Sequence, residues 1–261
     1  MNIVIMTQDD PFYVRLFFEE FFATYPAVRE IKAVVVAPAM GKKSFKKLVL
    51  QMYQFYGPVD FVRVGIKYVL YKLASRAPGW LLAGRSFSIA QLCRRHDIPV
   101  LASRDLNAKP FLDELAAMAP ELIVSVAAPQ IFKEPLIRLP RRGCINIHNS
   151  KLPKYRGMMP NFWQMLHGEK SVGITVHRID PVIDNGAILG QWEVPLEPGD
   201  TLDAVIRRTK TLGARLMIEV IQAIEAGTER AQPNPAELSS YYSFPTPADV
   251  REFRRRGHRL L

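Results

Sequence analysis

Short apolar runs alternate with segments of helical periodicity through the first half of the chain. The runs are rich in β-branched residues and are typical of buried parallel strands. They occupy residues 2–6, 31–37, 122–126 and 144–147, with residues 99–101 as a candidate edge strand. Between them, apolar residues recur at helical spacing in residues 12–24, 89–95 and 111–118. The alternation predicts an α/β fold with a Rossmann-like, mostly parallel sheet flanked by helices.

The pattern changes after Gly173. Residues 174–179 alternate apolar and polar side chains and residues 187–194 form another apolar run, which predicts two strands around the loop 180–186. A long helix is predicted over residues 201–225, capped by Thr201. We expect one domain over residues 1–230 and a short C-terminal extension over residues 231–261, whose prolines and tyrosines suggest a tail along the surface.

An insertion over residues 42–84 interrupts the strand–helix alternation. Two apolar segments of helical spacing are separated by Gly57 and Pro58, which predicts a helical hairpin after the second strand. Its second half contains several basic residues. Because a transmembrane span needs about 20 mostly uncharged residues, the hairpin is not predicted to cross a membrane.

The net charge of +10 is concentrated in the same insertion. Residues 42–76 include eight basic residues and one acidic residue, and a second basic cluster lies within residues 251–259. Basic surfaces favour anionic partners. Together with the aromatic residues of the hairpin, they suggest peripheral contact of residues 42–76 with an anionic membrane. The alternatives are a homodimer interface through the apolar faces and a basic face that is simply solvated.

Cysteine usage and the N-terminus indicate the compartment. Cys93 and Cys144 are far apart and have neither metal-ligand nor disulfide-framework spacing, so no metal site is predicted and a reducing compartment is the default. The first residues become acidic after a short apolar run and show no secretory signal pattern. We expect a cytoplasmic protein.

Three polar residues carry the candidate chemistry. Asn146 and His148 are two residues apart in a predicted strand, so they project from the same side of it. Asp184 lies in the loop between the two later strands. Taken singly, each is an ordinary strand-end, surface or turn residue. Only their convergence would make them a catalytic site.

Such a trio is suited to acyl transfer to an amine. Asn146 can donate a hydrogen bond to an oxyanion, an effect of about 3 kcal/mol. His148 can stabilise that oxyanion or relay a proton. Asp184 can orient the imidazole and anchor a water that accepts the amine proton. A serine or cysteine nucleophile is not required, because the amine itself attacks.

Two motifs carry a family resemblance: NIHNSKLPKYRG, which begins at Asn146, and GITVHRIDPVIDNGAIL, which begins at Gly173. From about residue 87 to 227, the chain resembles the 10-formyltetrahydrofolate-dependent formyltransferases. This family includes glycinamide ribonucleotide, methionyl-tRNA and sugar N-formyltransferases. The resemblance implies the formyltransferase fold and catalytic roles for Asn146, His148 and Asp184.

The resemblance also implies binding residues. The pterin of 10-formyltetrahydrofolate, the formyl donor, would lie against the backbone of two loops, represented here by Ala128, Pro129, Gln130, Ile131, Phe132, Asp180, Val182 and Ile183. The acceptor side would be formed by residues of the loop after the histidine and the segment beyond it: Asn149, Ser150, Lys151, Lys154, Tyr155, Arg156, Asn161 and Trp163, the last with a core position as its alternative.

The family pattern leaves the acceptor open. Where the family often has Pro-Ser-Leu-Leu-Pro, this chain has Asn-Ser-Lys-Leu-Pro at residues 149–153. We expect an N-formyltransferase that acts on an amino sugar carried by a nucleotide or a lipid. The second hypothesis is a tRNA-directed enzyme, although residues 228–261 are too few for the β-domain of the tRNA enzymes. A formyltetrahydrofolate hydrolase and a catalytically silent binding module are the remaining alternatives.

Overall fold

Seven strands form one sheet in the described part of the chain. The computed structural model describes residues 1–38, 45–77, 82 and 84–261. The strands, in chain order, are β1 (Ile3–Gln8), β2 (Ile31–Ala37), β3 (Val100–Ala102), β4 (Leu122–Val126), β5 (Cys144–His148), β6 (Arg156–Gly157), β7 (Ser171–Arg178), β8 (Ile188–Pro195) and β9 (Tyr241–Tyr242). The large sheet has the order β3-β2-β1-β4-β5-β7-β8, and β6 pairs separately with β9.

In the large sheet, the first five strands are parallel and β7 alone runs against its neighbours. β1 pairs with β2 and β4, β2 with β3, and β4 with β5, all in parallel. β7 runs antiparallel to both β5 and β8. The prediction of a Rossmann-like, mostly parallel α/β sheet is therefore confirmed, including the short edge strand and the two later strands.

Helices cover both faces of the sheet because its central strands are apolar on both sides. In β1, Ile3 and Ile5 belong to one core cluster, whereas Val4 and Met6 belong to the other. This alternation follows from the two-residue period of a strand. The helices, in chain order, are α1 (Val14–Thr24), α2 (Phe45–Tyr56), α3 (Pro58–Ala74), α4 (Ile89–Arg95), α5 (Lys109–Ala117), α6 (Glu134–Ile137), α7 (Pro160–Leu166), α8 (Leu202–Ala226) and α9 (Pro247–Arg255).

The ends of α8 show how local sequence sets an element. The Thr201 hydroxyl accepts a hydrogen bond from the backbone N–H of Ala204 at 3.2 Å, as expected for an N-cap. Gly227, with φ of 66°, ends the helix in the left-handed conformation that glycine adopts without strain. The prediction of a helix over residues 201–225 agrees with these bounds.

The predicted hairpin over residues 42–84 is described in its central part. It consists of α2 and α3, which are separated by Gly57. Lys42, Lys43 and the predicted segment ends at residues 44, 78–81 and 83 lie outside the described residues. Among the described helices, none is both long and apolar enough to span a bilayer.

The C-terminal extension is tied to the body of the protein. β9 pairs in parallel with β6, and α9 begins with a capping box formed by Thr246 and Asp249. Phe253 of α9 is fully buried and stacks on Phe162 with ring centroids 4.6 Å apart. The extension therefore contributes to the core, whereas its composition suggested a tail that only follows the surface.

Candidate active site

Strand β5 and the loop between β7 and β8 bring the three predicted catalytic residues together. Asn146 lies opposite His177 in the β5–β7 register. Because β7 is antiparallel, the loop leaves it beside the start of β5 and folds back, so that Asp184 reaches the end of that strand. His148 Nδ1 lies 3.7 Å from Asp184 Oδ2.

His148 is buried, and an oxygen faces each of its ring nitrogens. Nε2 lies 2.8 Å from the carbonyl oxygen of Tyr155. A carbonyl can only accept, so this nitrogen carries a hydrogen. The other nitrogen, Nδ1, faces Asp184. These two partners set the orientation of the ring.

Asp184 is held as a carboxylate by its surroundings. Its backbone lies in the left-handed region with φ of 50°, and Oδ2 accepts a hydrogen bond from the Gly157 N–H at 2.9 Å. Oδ1 is 3.6 Å from His177 Nε2. Burial alone raises the pKa of this carboxyl, but the positive charge that His148 can carry and the Gly157 N–H hold the pKa well below its usual range.

His177 is a site residue that the sequence reasoning missed. Its Nδ1 donates to the Arg178 carbonyl oxygen at 2.7 Å, which leaves Nε2 as the acceptor of a hydrogen bond from Asn146 Nδ2 at 3.2 Å. One amide hydrogen of Asn146 is thereby fixed, and the second can point to a ligand. The signal was the alternation of residues 174–179, which places a histidine in register with Asn146 once the strands are paired antiparallel.

Neither cysteine can supply an alternative nucleophile. Cys93 and Cys144 are buried, and burial raises the pKa of each thiol to about 12. A thiol must ionise to attack, so both remain unreactive at neutral pH. The chemistry of this site is therefore that of hydrogen-bond donation and proton transfer.

The first predicted donor loop follows β4. Ala128, Pro129 and Gln130 are half-buried, Ile131 is exposed and Phe132 is buried in the core. The Gln130 amide is used within the fold, because it accepts from the backbone of residue 106 at 2.9 Å and donates to the carbonyl of residue 104 at 2.7 Å. The loop can therefore contact a ligand through its backbone and Ile131, but not through the Phe132 ring.

The second predicted donor loop is the one that carries Asp184. Asp180 closes it, because Oδ1 accepts from the Val182 N–H and Oδ2 from the Asn185 amide, both at 2.9 Å. Val182 and Ile183 are exposed. Exposed aliphatic side chains thus occur on both predicted donor loops, where they can pack on an aromatic ring system.

Several of the residues predicted to bind the acceptor are buried in the structure. Ser150 and Tyr155 are buried, and their hydroxyls donate to the Lys154 carbonyl at 3.0 Å and to Glu169 at 2.8 Å. Arg156 is also buried and is hydrogen-bonded inside the chain. These three side chains brace the loop and do not face solvent, whereas Lys154 is exposed.

Asn149 and Asn161 form a buried pair behind the loop. Both amides donate from Nδ2 to the hydroxyl oxygen of Thr209 at 3.0 Å. The two Oδ1 atoms are buried and have no hydrogen-bond partner within the described chain. Lys151 is partly exposed and forms an ion pair with Glu193 at 2.7 Å.

The C-terminal extension braces the catalytic loop through Asn234. Its Nδ2 donates to the carbonyl oxygens of Asp184 and Gly186, each at 3.0 Å. Its Oδ1 accepts from Arg156 at 3.1 Å, and Arg156 also donates to Asn185 at 2.9 Å. This long-range network was not visible in the sequence, because Asn234 is 50 residues from Asp184.

A second contact of the extension involves Tyr242. Its ring stacks on Tyr155 and on Trp163, with centroids 5.6 and 4.8 Å apart. Trp163 is buried and donates from Nε1 to the Ser243 carbonyl at 3.0 Å, so its alternative as a core residue is the observed one. A Cβ at Gly157, where φ is 95°, would collide with the Tyr242 carbonyl. Glycine therefore permits β6 and β9 to approach.

The fold and the site define an α/β protein in which an amide and an imidazole on one strand face a carboxylate from a neighbouring loop. A family model described as formyl transferase matches residues 74–221, which is more than half of the chain. The chain belongs to the formyl transferase family. The resemblance inferred from the two motifs is thus confirmed.

The chain spans about half the length of the curated relatives it matches. A methionyl-tRNA formyltransferase of Pelobacter propionicus is 35% identical over 153 residues, which cover 59% of this chain and 48% of that protein. Two solved structures share the fold. A sugar N-formyltransferase from a Shewanella species has a TM-score of 0.58 at 20% identity and covers 93% of this chain and 77% of its own.

The second structure is an N-formyltransferase from Helicobacter canadensis, solved with folinic acid and dTDP-3-aminofucose. It has a TM-score of 0.57 at 19% identity and covers 93% of this chain and 71% of its own. At this identity, both structures bear on the fold alone.

Proposed function

We propose that this chain transfers a formyl group from 10-formyltetrahydrofolate to a primary amine. The observation that carries the proposal is the convergence of Asn146, His148 and Asp184 at one buried site, within a chain of the formyl transferase family. The contacts that link these three residues to each other and to His177 are not required of ordinary turn or cap residues.

Each residue has a defined part in the proposed reaction. The donor supplies a formyl carbonyl whose oxygen gains negative charge when the amine attacks. The free Nδ2 hydrogen of Asn146 points a fixed dipole at that oxygen, an effect worth about 3 kcal/mol. As the formyl carbon–nitrogen bond of the donor breaks, His148 relays a proton through Nδ1 to the leaving nitrogen, so that tetrahydrofolate is released. Asp184 orients the imidazole and anchors a water that takes the proton of the attacking amine.

The donor fits the two loops by its chemistry. A pterin has two apolar faces and a polar edge, and the loops offer exposed aliphatic side chains together with backbone groups. Ile131, Val182 and Ile183 are the exposed aliphatic residues. We propose that the backbone of residues 128–132 and 180–183 reads the polar edge and that these side chains cover the faces.

The proposed acceptor is an amino sugar on a nucleotide or lipid carrier. Asn149, Asn161, Lys151 and Lys154 are the acceptor-side residues that remain after Ser150, Tyr155 and Arg156 are assigned to bracing. Lys154 is exposed and Lys151 is partly exposed, so both can meet the phosphates of a carrier, and Asn149 and Asn161 lie buried behind the same loop. The likeness in fold to sugar N-formyltransferases is compatible with this choice.

A tRNA acceptor is the second candidate, because the curated relatives with the stronger sequence identity are methionyl-tRNA formyltransferases. In that case the basic hairpin would contact phosphates. A homodimer remains a further proposal, and the cytoplasmic location remains a prediction.

A donor-release assay tests the proposed function. The full chain is incubated with 10-formyltetrahydrofolate and a panel of acceptors: dTDP- and UDP-linked amino sugars, methionyl-tRNA, glycinamide ribonucleotide and no amine. We expect tetrahydrofolate release to depend on an amino sugar and to be lost in His148→Ala. Equal release without any amine would indicate a hydrolase, and release only with charged tRNA would favour the second candidate.

A further inference from the structure

Helix α3 exposes a continuous row of aliphatic side chains. The aliphatic stripe consists of Val59, Val62, Ile66, Val69, Leu70 and Leu73, and each of these residues is 55–76% exposed. Their spacing of three and four residues places them on one face of the helix. No residue of α3 is buried. In a helix that packs its apolar face on a protein core, these aliphatic side chains would be buried.

The opposite face of α3 holds the helix to the protein. Tyr71 contacts Phe12 and Phe87, with ring centroids 5.5 and 5.3 Å apart. Lys72 forms an ion pair with Asp9. These aromatic and ionic contacts fix the rotation of the helix about its axis, so the stripe is directed away from the body by the fold itself.

The stripe is too long to be a scatter of single exposed residues. From Val59 to Leu73 it extends over about 21 Å of helix at 1.5 Å per residue. A contiguous apolar patch of this kind marks an interaction surface.

Cations border one side of the stripe. At 100° per residue, Arg63 and Lys67 follow one edge of the stripe, whereas Lys72, beyond the other edge, is paired with Asp9. The Arg63 side chain is 71% exposed. Residues 45–77 contain six basic residues and one acidic residue.

The positive charge of the hairpin decides between two partners for the stripe, a second copy of the chain and an anionic membrane. A second copy of the chain packed through the same stripe would bring the predominantly basic hairpins of both copies together, and like charges repel at short range. An anionic bilayer surface instead accepts the aliphatic residues among its acyl chains and the cations among its headgroups. We propose that α3 lies in the interface of an anionic membrane and docks the enzyme there reversibly.

Vesicle flotation of the full chain tests the proposal. We expect binding to phosphatidylcholine vesicles that contain phosphatidylglycerol, little binding to phosphatidylcholine alone, and loss of binding at high salt. Ile66→Glu with Leu70→Glu should lower the partition coefficient at least about tenfold, and Arg63→Glu should lower it roughly fivefold or more. Leu238→Glu and Arg251→Glu, which change exposed residues outside the hairpin, should have no effect.

Light scattering and thermal unfolding complete the test. All substituted side chains are exposed, so the variants should keep the unfolding midpoint of the unchanged chain; where Ile66→Glu with Leu70→Glu does not, Val69→Glu replaces it. Absence of flotation on anionic vesicles overturns the proposal. It is equally overturned if the chain is dimeric and the stripe variants yield monomers that bind vesicles as well as before.

Discussion

Asp184, at the residue scale, is surrounded by two imidazoles and a backbone N–H, and each of these partners acts on a different property. The Gly157 N–H fixes the position of the carboxylate, His148 faces it through Nδ1, and His177 lies between it and Asn146. Such a unit loses most of its effect when any one member is removed.

The first prediction follows for the proposed catalytic residues. Asn146→Ala, His148→Ala and Asp184→Ala should each lower kcat by at least about a hundredfold, since each removes an oxyanion or proton-transfer contribution. The double variants should lose little more than the singles. Steady-state kinetics with the preferred acceptor measures this, and a His148→Ala enzyme of near-normal turnover would refute the proposed mechanism.

A second prediction concerns His177 as a positioning residue. His177→Phe removes the acceptor that orients Asn146 and should lower kcat about tenfold, the value of one well-placed hydrogen bond, with KM nearly unchanged. His177→Gln, which can offer a side-chain oxygen to the Asn146 amide, should recover part of the loss. Equal defects in both variants, or a rise in KM alone, would contradict the role.

The pH dependence of stability gives a third prediction. The folded pKa of Asp184 lies below its ordinary value of 3.8, so its ionised form stabilises the folded chain above that pH, and this stability is lost as pH falls. The free energy of unfolding of the unchanged chain should therefore converge on that of Asp184→Asn below about pH 4. Urea titrations across this range measure it, and a constant difference would contradict the assignment.

At the scale of elements, the sequence predicted what depends on neighbours along the chain. The strand runs, the Thr201 cap and the Gly57 break are local signals, and the structure agrees with them. The pairing of Asn146 and His148 followed from strand period alone. Asp184 could be joined to them only through the family motif, because its loop folds back along β5.

The missed features depend on contacts between distant segments. His177 becomes a site residue only when β7 is paired antiparallel with β5, and Asn234 only when the C-terminal extension crosses the loop. The outward orientation of α3 is set by Phe12 and Asp9, far from it in sequence. Periodicity identifies an apolar face but not the direction in which that face points.

The extension provides a fourth prediction. Asn234→Ala removes both hydrogen bonds to the carbonyls of the Asp184 loop and should lower kcat about tenfold together with the thermal midpoint. Ser239→Ala, in the same extension, loses a hydrogen bond to a local carbonyl alone and serves as the control. If Asn234→Ala lowers the midpoint but leaves kcat unchanged, the extension stabilises the fold without positioning the loop.

The whole molecule carries a charge of +10, and this charge separates the two proposed acceptors by their salt dependence. A nucleotide-linked sugar presents two phosphates, so log KM should rise with log salt at a slope of about 1 to 2. A tRNA in contact with several phosphates of a basic hairpin should give a steeper slope, by about 0.7 to 0.9 for each contact. Measuring KM at several potassium chloride concentrations, with 10-formyltetrahydrofolate saturating, distinguishes them.

We expect the shallow slope, and we expect it to be unchanged in Arg63→Glu, because α3 is proposed to face lipid and not the acceptor. A steep slope that Arg63→Glu reduces would assign the hairpin to nucleic acid and reverse both proposals.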